Sequence, residues 1–368
     1  MNVVHLSTVH SDNDTRIVEK ECKGLAARGY NVSLLIPAEV SEIREGVNVV
    51  ALPRIKNRFI RITVGSLVAL RRAWSFRADV YHFHDPELIP VGLVLSLRSR
   101  LVVYDMHENV PEQIKHKSWI PRVLRNIFST LIMSFERLVL NRFYVVMAED
   151  SYLAAYPWIK KKVAVLNFPK VEALRKIRES KRKNEYPTLG YIGGITEHRG
   201  AFVMLRIVKA IRDNGLPVKL VLVGPIDTSV ANSDEFKVAL DEGWLDHRGR
   251  LPPKDGWAVM ASCEIGLALL QPVGNYVESY PTKMFEYMAL GLPVVVSKFP
   301  LYQSVIEKHK CGICVDPFEV ESTADAIHSL LVAETLKSNM ANNGIRAATE
   351  FYSWERQLDI LVEVYKSS

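Results

Sequence analysis

Short apolar runs, separated by segments with an apolar residue every three or four positions, fill the first half of the chain. Val3 to Ser7, Asn31 to Ile36, Val47 to Ala51, Val80 to Phe83, Leu101 to Asp105, Phe143 to Ala148 and Val163 to Leu166 read as strands buried on both faces. Amphipathic helices fit between them, which predicts a mostly parallel sheet covered on both sides. Thr15 to Arg28 ends at Gly29 in AARGYNVSLL, a helix stop followed by a strand, as an opening βαβ element requires. MNVVHLSTV reads as the first strand rather than a leader, because it lacks a basic segment followed by a long apolar core and a cleavage site.

The pattern changes from Leu166 to Pro187, where NFPKVEALRKIRESKRKNEYP is rich in charge and poor in apolar runs. That segment is expected to connect two domains. A second βαβ series follows through Thr188-Leu-Gly-Tyr-Ile, Val218-Lys-Leu-Val-Leu-Val, Glu264 to Leu270 and Val294 to Val296, and closes in a helical run from Ser322 to about Thr349. In the last segment, FYSWERQLDILVEVYKSS, Trp354, Leu358, Leu361 and Val362 keep helical spacing. The predicted fold class is α/β, with one Rossmann-like domain over 1–168, a second over 186–352, and a terminal helix over 353–368.

Chemistry concentrates between Cys263 and Ser297. The strand there ends in a Gln-Pro-Val-Gly loop, Pro281 sits where a helix opens, and Gly291 and Pro293 stop that helix. Its N-terminus therefore lies at the carboxyl edge of a parallel sheet, where open α/β sheets bind ligands. Unpaired N–H groups and the helix dipole favour an anion at that point, and Lys283 in the first turn adds a cation suited to phosphate. Glu286 falls in the second turn and Glu278 before the helix, so the two carboxylates need not share a face.

Glu278, seven residues and Glu286, set in SYPTKMFEYMALGLPVVVS, resemble the paired-glutamate signature of the family-4 retaining glycosyltransferases of the GT-B fold. The embedding discriminates: proline at the helix start, Phe-Glu-Tyr-Met inside it, and Gly-Leu-Pro before an apolar strand. The resemblance implies two doubly wound parallel-sheet domains facing across a cleft, with the terminal helix crossing back to the first. It also implies that Glu286 holds the ribose hydroxyls of a sugar nucleotide and that Glu278 lies near the donor sugar. The implied reaction moves a hexosyl unit from a nucleotide diphosphate sugar to a hydroxyl of a saccharide or lipid-linked acceptor, with retention, in cell-surface polysaccharide or lipopolysaccharide synthesis. No cofactor and no metal are expected. A nucleotide-sugar epimerase of the same fold and a non-catalytic nucleotide-sugar-binding protein are the alternative readings.

Residues of the donor half follow from the same resemblance. In Tyr191-Ile-Gly-Gly-Ile-Thr-Glu-His-Arg-Gly200, Gly193 and Gly194 let backbone approach a ligand, and Arg199 can present a fork to diphosphate oxygens. The family pattern has arginine directly after the first glycine and lysine just before the last; Gly194 and Arg199 stand there instead, which implies a rearranged phosphate clamp. Gly224 resembles the strand end beneath the nucleotide, and Gly249, Arg250 and Leu251 the segment that meets the base edge. Arg199, Lys283, Glu278 and His107 form the expected catalytic set.

In the first half, Tyr81-His-Phe-His-Asp-Pro-Glu87 and Tyr104-Asp-Met-His-Glu108 end predicted strands, which directs their side chains out of the core. His107 matches the histidine near the donor's reacting centre, with a metal-ligand role beside Asp105 and Glu108 as the other reading. His84 and Asp85 are placed near the acceptor, although capping of the helix that starts at Pro86 also accounts for Asp85. Where the family often has two glycines, this chain has Asp12, Asn13, Asp14 and Arg16. Arg16 is the candidate for the charge missing at Gly194.

Composition adds limits. At 368 residues the chain exceeds the usual reach of one core, and 48% hydrophobic with 24% charged residues is ordinary for a globular protein. Four scattered cysteines do not make a disulfide framework and fit a reducing cytoplasm; Cys311 and Cys314 lack a second pair to complete a metal site. The net charge of +6 is concentrated in Ile55 to Arg77 and Lys115 to Phe143, which interleave basic with large apolar residues. Such segments are either helices lying in an anionic membrane interface, at the inner face of the cytoplasmic membrane, or core helices with basic outer faces. No uncharged run reaches the roughly 18–20 residues of a membrane span, and no recognition motif accompanies the charge, so nucleic acid is not an expected partner.

Overall fold

The computed structural model describes residues 1–116, 120–180, 184–274 and 276–367. Lys117, Ser118 and Trp119 of the second basic-apolar segment, and Lys181, Arg182 and Lys183 of the expected connection, lie outside the described residues. The chain divides into two compact units, Met1–Asn167 with the segment from Glu355, and Phe168–Trp354.

The first unit is built on an eight-stranded sheet. Its strands are β1 (Asn2–Leu6), β2 (Asn31–Pro37), β3 (Glu42–Arg44), β4 (Val47–Leu52), β5 (Val80–Phe83), β6 (Leu101–Met106), β7 (Tyr144–Met147) and β8 (Lys162–Ala164), in the order β3-β4-β2-β1-β5-β6-β7-β8. All pairings are parallel except β3 with β4. The chain builds outward from β1 in one direction and resumes at β5 in the other, so the loops after β1 and β5 share a topological switch point. The helical segment after β1 is π-helical over Thr15–Cys22 and α-helical over Lys23–Ala27. Within this unit the C-terminal helix Trp354–Lys366 seats Tyr365 against His82, with the hydroxyl 2.6 Å from His82 Nδ1.

The second unit carries a wholly parallel six-stranded sheet: β9 (Thr188–Ile192), β10 (Lys219–Val223), β11 (Leu245–His247), β12 (Ile265–Ala268), β13 (Val294–Ser297) and β14 (Gly312–Val315), ordered β11-β10-β9-β12-β13-β14. Its switch point lies between β9 and β12. Leu189, Tyr191, Leu220, Leu222, Ile265, Leu267 and Val295 face one core with Met204, Ile207, Val208 and Ile211 of the helix Ala201–Asp213.

Several sequence expectations change. Residues 171–179 of the supposed connection form a helix that buries Val171 and Leu174 in the second unit. The closing helical run is two helices, Val320–Val332 and Glu334–Glu350, separated at Ala333. Cys314 lies within β14, and all four cysteines are free thiols.

Candidate active site

The switch point of the second unit opens into a cavity of about 430 Å³. Gly193 and Arg199 reach it from the loop after β9, Leu270 and Tyr276 from the loop after β12, and Lys283 and Glu286 from the helix Thr282–Leu290. Pro281 caps that helix in an extended conformation, and Gly291, with φ of 73°, ends it. The helix thus presents its opening N–H groups, ahead of the bond from Met284 to the Pro281 carbonyl, to the cavity.

Side-chain placement in the cavity is tightly determined. Lys283 Nζ stands over the Tyr191 ring, 5.3 Å from its centroid. Burial, and after it the charge of Arg199, lowers the Lys283 pKa to about 8, against a raising contribution from Glu286. Arg199 donates from Nε to the Tyr276 hydroxyl at 3.4 Å, and the Tyr191 hydroxyl donates to the Gly194 carbonyl at 2.9 Å. A Cβ on Gly194 would lie 3.1 Å from Arg199 Nη1. The arginine missing from position 194 is therefore matched by a guanidinium that reaches back over that position from 199.

Gly224 does not itself line the cavity but packs by backbone contact against Gly193, which does. Its φ is 139°, and a Cβ there would fall 2.0 Å from the Gly193 carbonyl oxygen, so only glycine fits. Its N–H donates to the Gly249 carbonyl at 2.7 Å, and His247 Nε2 lies 3.0 Å from its own carbonyl. The ends of β9, β10 and β11 are thereby tied side by side.

Other expected donor residues fall elsewhere. Glu278 is exposed and is not among the cavity-lining residues; Arg250 is exposed and Leu251 partly buried, and neither lines the cavity. Conversely Trp257, Tyr276, Tyr280 and Tyr302 line it without having been singled out. Aromatic residues at 276 and 280, on either side of Glu278 in the loop before the helix, are the signal that was available.

The first unit holds a different polar cluster. His84, Asp85 and Asp105 end strands, yet they are buried rather than projecting from the core. Asp85 makes no side-chain cap at Pro86. It accepts instead from the Thr8 and Val9 amides and the Ser7 hydroxyl, and pairs with His10 Nδ1 at 3.0 Å, which fixes the loop after β1 to the loop after β5.

Arg16 is likewise placed differently from the expectation. Its guanidinium grips Asp105 with Nε at 3.0 Å and Nη2 at 2.8 Å, donates from Nη1 to the Val165 carbonyl at 2.9 Å, and is buried. It has no donor directed outward for a phosphate. Asp14 caps the first helix, accepting from the Arg16 and Ile17 amides, and Asp12 pairs with Arg44. Burial opposes the charge on Asp105, but Arg16 and His107 overcome it and hold that carboxyl well below the usual range.

His107 is partly buried, with Nε2 2.7 Å from Asp105 Oδ2 and 3.4 Å from His84 Nδ1. His84, Asp105 and His107 bring donor atoms close enough for a metal, but both Asp105 oxygens are already bound by Arg16. The geometry makes Asp105 the anchor that orients His107.

Comparison with known proteins agrees with this architecture. The family model described as glycosyl transferases group 1 matches residues 174–347, and the one described as glycosyltransferase family 4 matches residues 15–156. Among curated proteins, D-inositol 3-phosphate glycosyltransferases of Corynebacterium urealyticum and Rhodococcus erythropolis are 24% and 28% identical over 186 and 183 residues, 49% and 48% of this chain. The match spans only 42% and 40% of those relatives' own length. Among solved structures, a glycosyltransferase from Rickettsia africae superposes with a TM-score of 0.73 at 12% identity, covering 100% of this chain and 98% of that one. Anabaena HepE in complex with UDP-glucose gives 0.67 at 14%, covering 100% of both chains. These likenesses establish the GT-B fold of two Rossmann-like domains, and with the two family matches they show that the chain belongs to the family-4, group 1 glycosyltransferases.

Proposed function

We propose that the protein transfers a hexosyl unit, with retention of anomeric configuration, from a nucleotide diphosphate sugar to a hydroxyl of a membrane-associated acceptor in cell-surface glycan synthesis. The observation that carries this reading is the convergence of Arg199, Lys283 and a helix N-terminus on one cavity at the switch point of the second sheet. A departing diphosphate gathers negative charge as the glycosidic bond stretches, and fixed cations with oriented amides stabilise that charge without reorganising. Glu286, one turn into the same helix, is suited to accept hydrogen bonds from ribose hydroxyls. UDP-glucose is bound by one structural neighbour, which supports a nucleotide sugar as donor, and the name of the curated relatives adds a phosphorylated polyol to the hydroxyl acceptors to be tested. His107, anchored on Asp105, is assigned to the donor sugar.

Support for a membrane-associated acceptor comes from the first unit's surface. Phe59 is 81% exposed, Leu67 65%, Leu131 60% and Leu138 78%, with Arg58, Arg71, Arg72, Arg122 and Arg137 exposed among them. Apolar side chains in water beside arginines match an anionic bilayer interface, where the rings and branched chains are buried and the cations pair with headgroups. Among the described residues no helix is long and apolar enough to cross a membrane, so the proposal is peripheral contact.

The test is incubation with a panel of activated sugars and lipid-linked or soluble hydroxyl acceptors. Release of free nucleotide together with an axial-configured product from an axial donor supports the reading. An isomerised donor with no transfer would replace it with epimerisation.

A further inference from the structure

Three imidazoles and a carboxylate are sealed inside the first unit. His5 comes from β1, its register partner His82 from β5, His84 from just beyond β5, and Glu21 from the first helix; none is more than 1% exposed. The rings lie against one another with centroids 4.5, 4.7 and 5.2 Å apart. Each aims a nitrogen at one carboxylate oxygen: His5 Nδ1, His82 Nδ1 and His84 Nε2 are 3.8, 3.9 and 3.9 Å from Glu21 Oε2. Among the described residues neither Glu21 oxygen accepts a hydrogen bond, and Arg16 Nε approaches Oε1 at 3.2 Å as an ion pair. Buried polar atoms are rarely left this way unless a water or an ion completes them.

We propose that His5, His82, His84 and Glu21 form a closed four-coordinate site for a divalent transition-metal ion of the zinc class, which ties β1 to β5 and to the first helix. The donor atoms of the four residues lie within 4.8 Å of one another. Zinc with bonds of about 2.0–2.1 Å needs tetrahedral edges of about 3.4 Å, so the three edges to Glu21 Oε2 close by about half an ångström and the 2.9 Å edge between His5 Nδ1 and His84 Nε2 opens by about as much. Three imidazoles and one carboxylate, without thiolate, suit zinc, and the absence of a solvent-facing position makes the role structural.

The surroundings match such a site. His84 Nδ1 lies 3.2 Å from Asp105 Oδ2 and His5 Nε2 lies 3.2 Å from the Tyr365 hydroxyl; the same hydroxyl lies 2.6 Å from His82 Nδ1, so a metal bound there takes over the lone pair of that hydrogen bond. When each ring donates to that outer partner, lone pairs remain on His84 Nε2 and His5 Nδ1, which face each other at 2.9 Å. A shared cation resolves that contact, and outer carboxylates and hydroxyls orient metal-bound histidines in this manner. Glu21, Asp85 and Asp105 are buried with one buried guanidinium, Arg16. Asp85 is paired with His10, while Glu21 and Asp105 share that one guanidinium, so the cluster is short of positive charge that a bound cation supplies.

The metal-free alternative places a proton on Glu21 and runs a hydrogen-bonded chain from His82 through Tyr365, His5 and His84 to Asp105. The two are separated on the full-length, tag-free protein, purified without chelator, by elemental analysis and by titrating the chelator-treated protein with Zn²⁺ alone while following melting. The site predicts close to one zinc per chain, a rise in melting temperature on adding Zn²⁺, and loss of affinity by more than about tenfold in Glu21→Gln and in His82→Gln; His10→Gln leaves stoichiometry unchanged. Cobalt substitution should give the intense visible absorption of a four-coordinate ion. A zinc-free wild type whose melting ignores Zn²⁺, with a protonated-carboxyl infrared band that Glu21→Gln removes, would overturn the proposal. The wild-type titration decides even if a variant fails to fold.

Discussion

Arg199 Nη1 occupies the space directly above Gly194, 3.1 Å from where that residue's Cβ would begin. The neighbour is the far end of a flexible side chain, so Gly194→Ala should leave the fold intact and displace the guanidinium. Donor KM is expected to rise about fivefold, on the order of 1 kcal/mol for one weakened charge-assisted contact, with the melting temperature unchanged. Gly194→Arg, which restores the family pattern, should weaken donor binding rather than improve it. Steady-state kinetics with varied donor checks both.

Lys283 titrates near 8 because burial, reinforced by Arg199, disfavours its charge. The charged form is the one that grips phosphate, so kcat/KM for the donor should fall as pH rises through about 8. Bound diphosphate favours the ammonium, so the same limb in kcat should lie at higher pH. Lys283→Arg should remove the alkaline limb from the kcat/KM profile. An unchanged limb in that variant would assign the titration to another group.

Glu136, buried in the helix Arg122–Val139, has a pKa raised to about 7 by burial, against a lowering hydrogen bond from Tyr156. Raised above its unfolded value, this carboxyl folds most favourably when protonated. Its penalty is absent below about pH 4.5, grows as pH rises through the window up to about 7, and is complete above it. Glu136→Gln should therefore stabilise the protein at pH 8 by up to about 3 kcal/mol and by little at pH 4.5. Chemical denaturation at the two pH values measures the difference.

The exposed apolar side chains of the same helix predict vesicle binding. Leu131→Glu with Leu138→Glu should reduce partitioning onto anionic vesicles by at least about tenfold while changing stability by less than about 1 kcal/mol, since neither side chain packs in the core. Equal partitioning of variant and wild type in a sedimentation assay would remove the membrane from the account.

Much of this architecture was legible because doubly buried strands write themselves as apolar β-branched runs. Seven of the eight strands of the first sheet and the principal strands of the second follow from that signal. β3 and β11 span three residues each, too few for a period to register, and β3 is an edge strand without a buried face. The helix at Val171–Glu179 was hidden by its charge, because two buried side chains suffice to dock it.

The site was legible only where chemistry is local. Gly193 and Arg199 lie on a strand-to-helix turn and Lys283 and Glu286 in the opening turns of a helix, and the sheet's topology brings the two together. Trp257 and Tyr302 reach the same cavity from helices whose sequence gives no hint of it. Strand ends misled for His84 and Asp105, since the switch-point loop after β1 folds over them and Arg16 fills the space beneath. His5 and His82 are 77 residues apart and become neighbours only through parallel register.

Calorimetric titration with nucleoside diphosphates and their sugars asks whether Arg199 and Lys283 hold a diphosphate in the second unit. The account predicts saturable binding of at least one such ligand by the wild type. It also predicts affinity at least about tenfold weaker in Arg199→Ala and in Lys283→Ala, as expected for removing one charge-assisted phosphate contact. Binding of wild-type strength in both variants would place the ligand elsewhere and remove the diphosphate from this cavity.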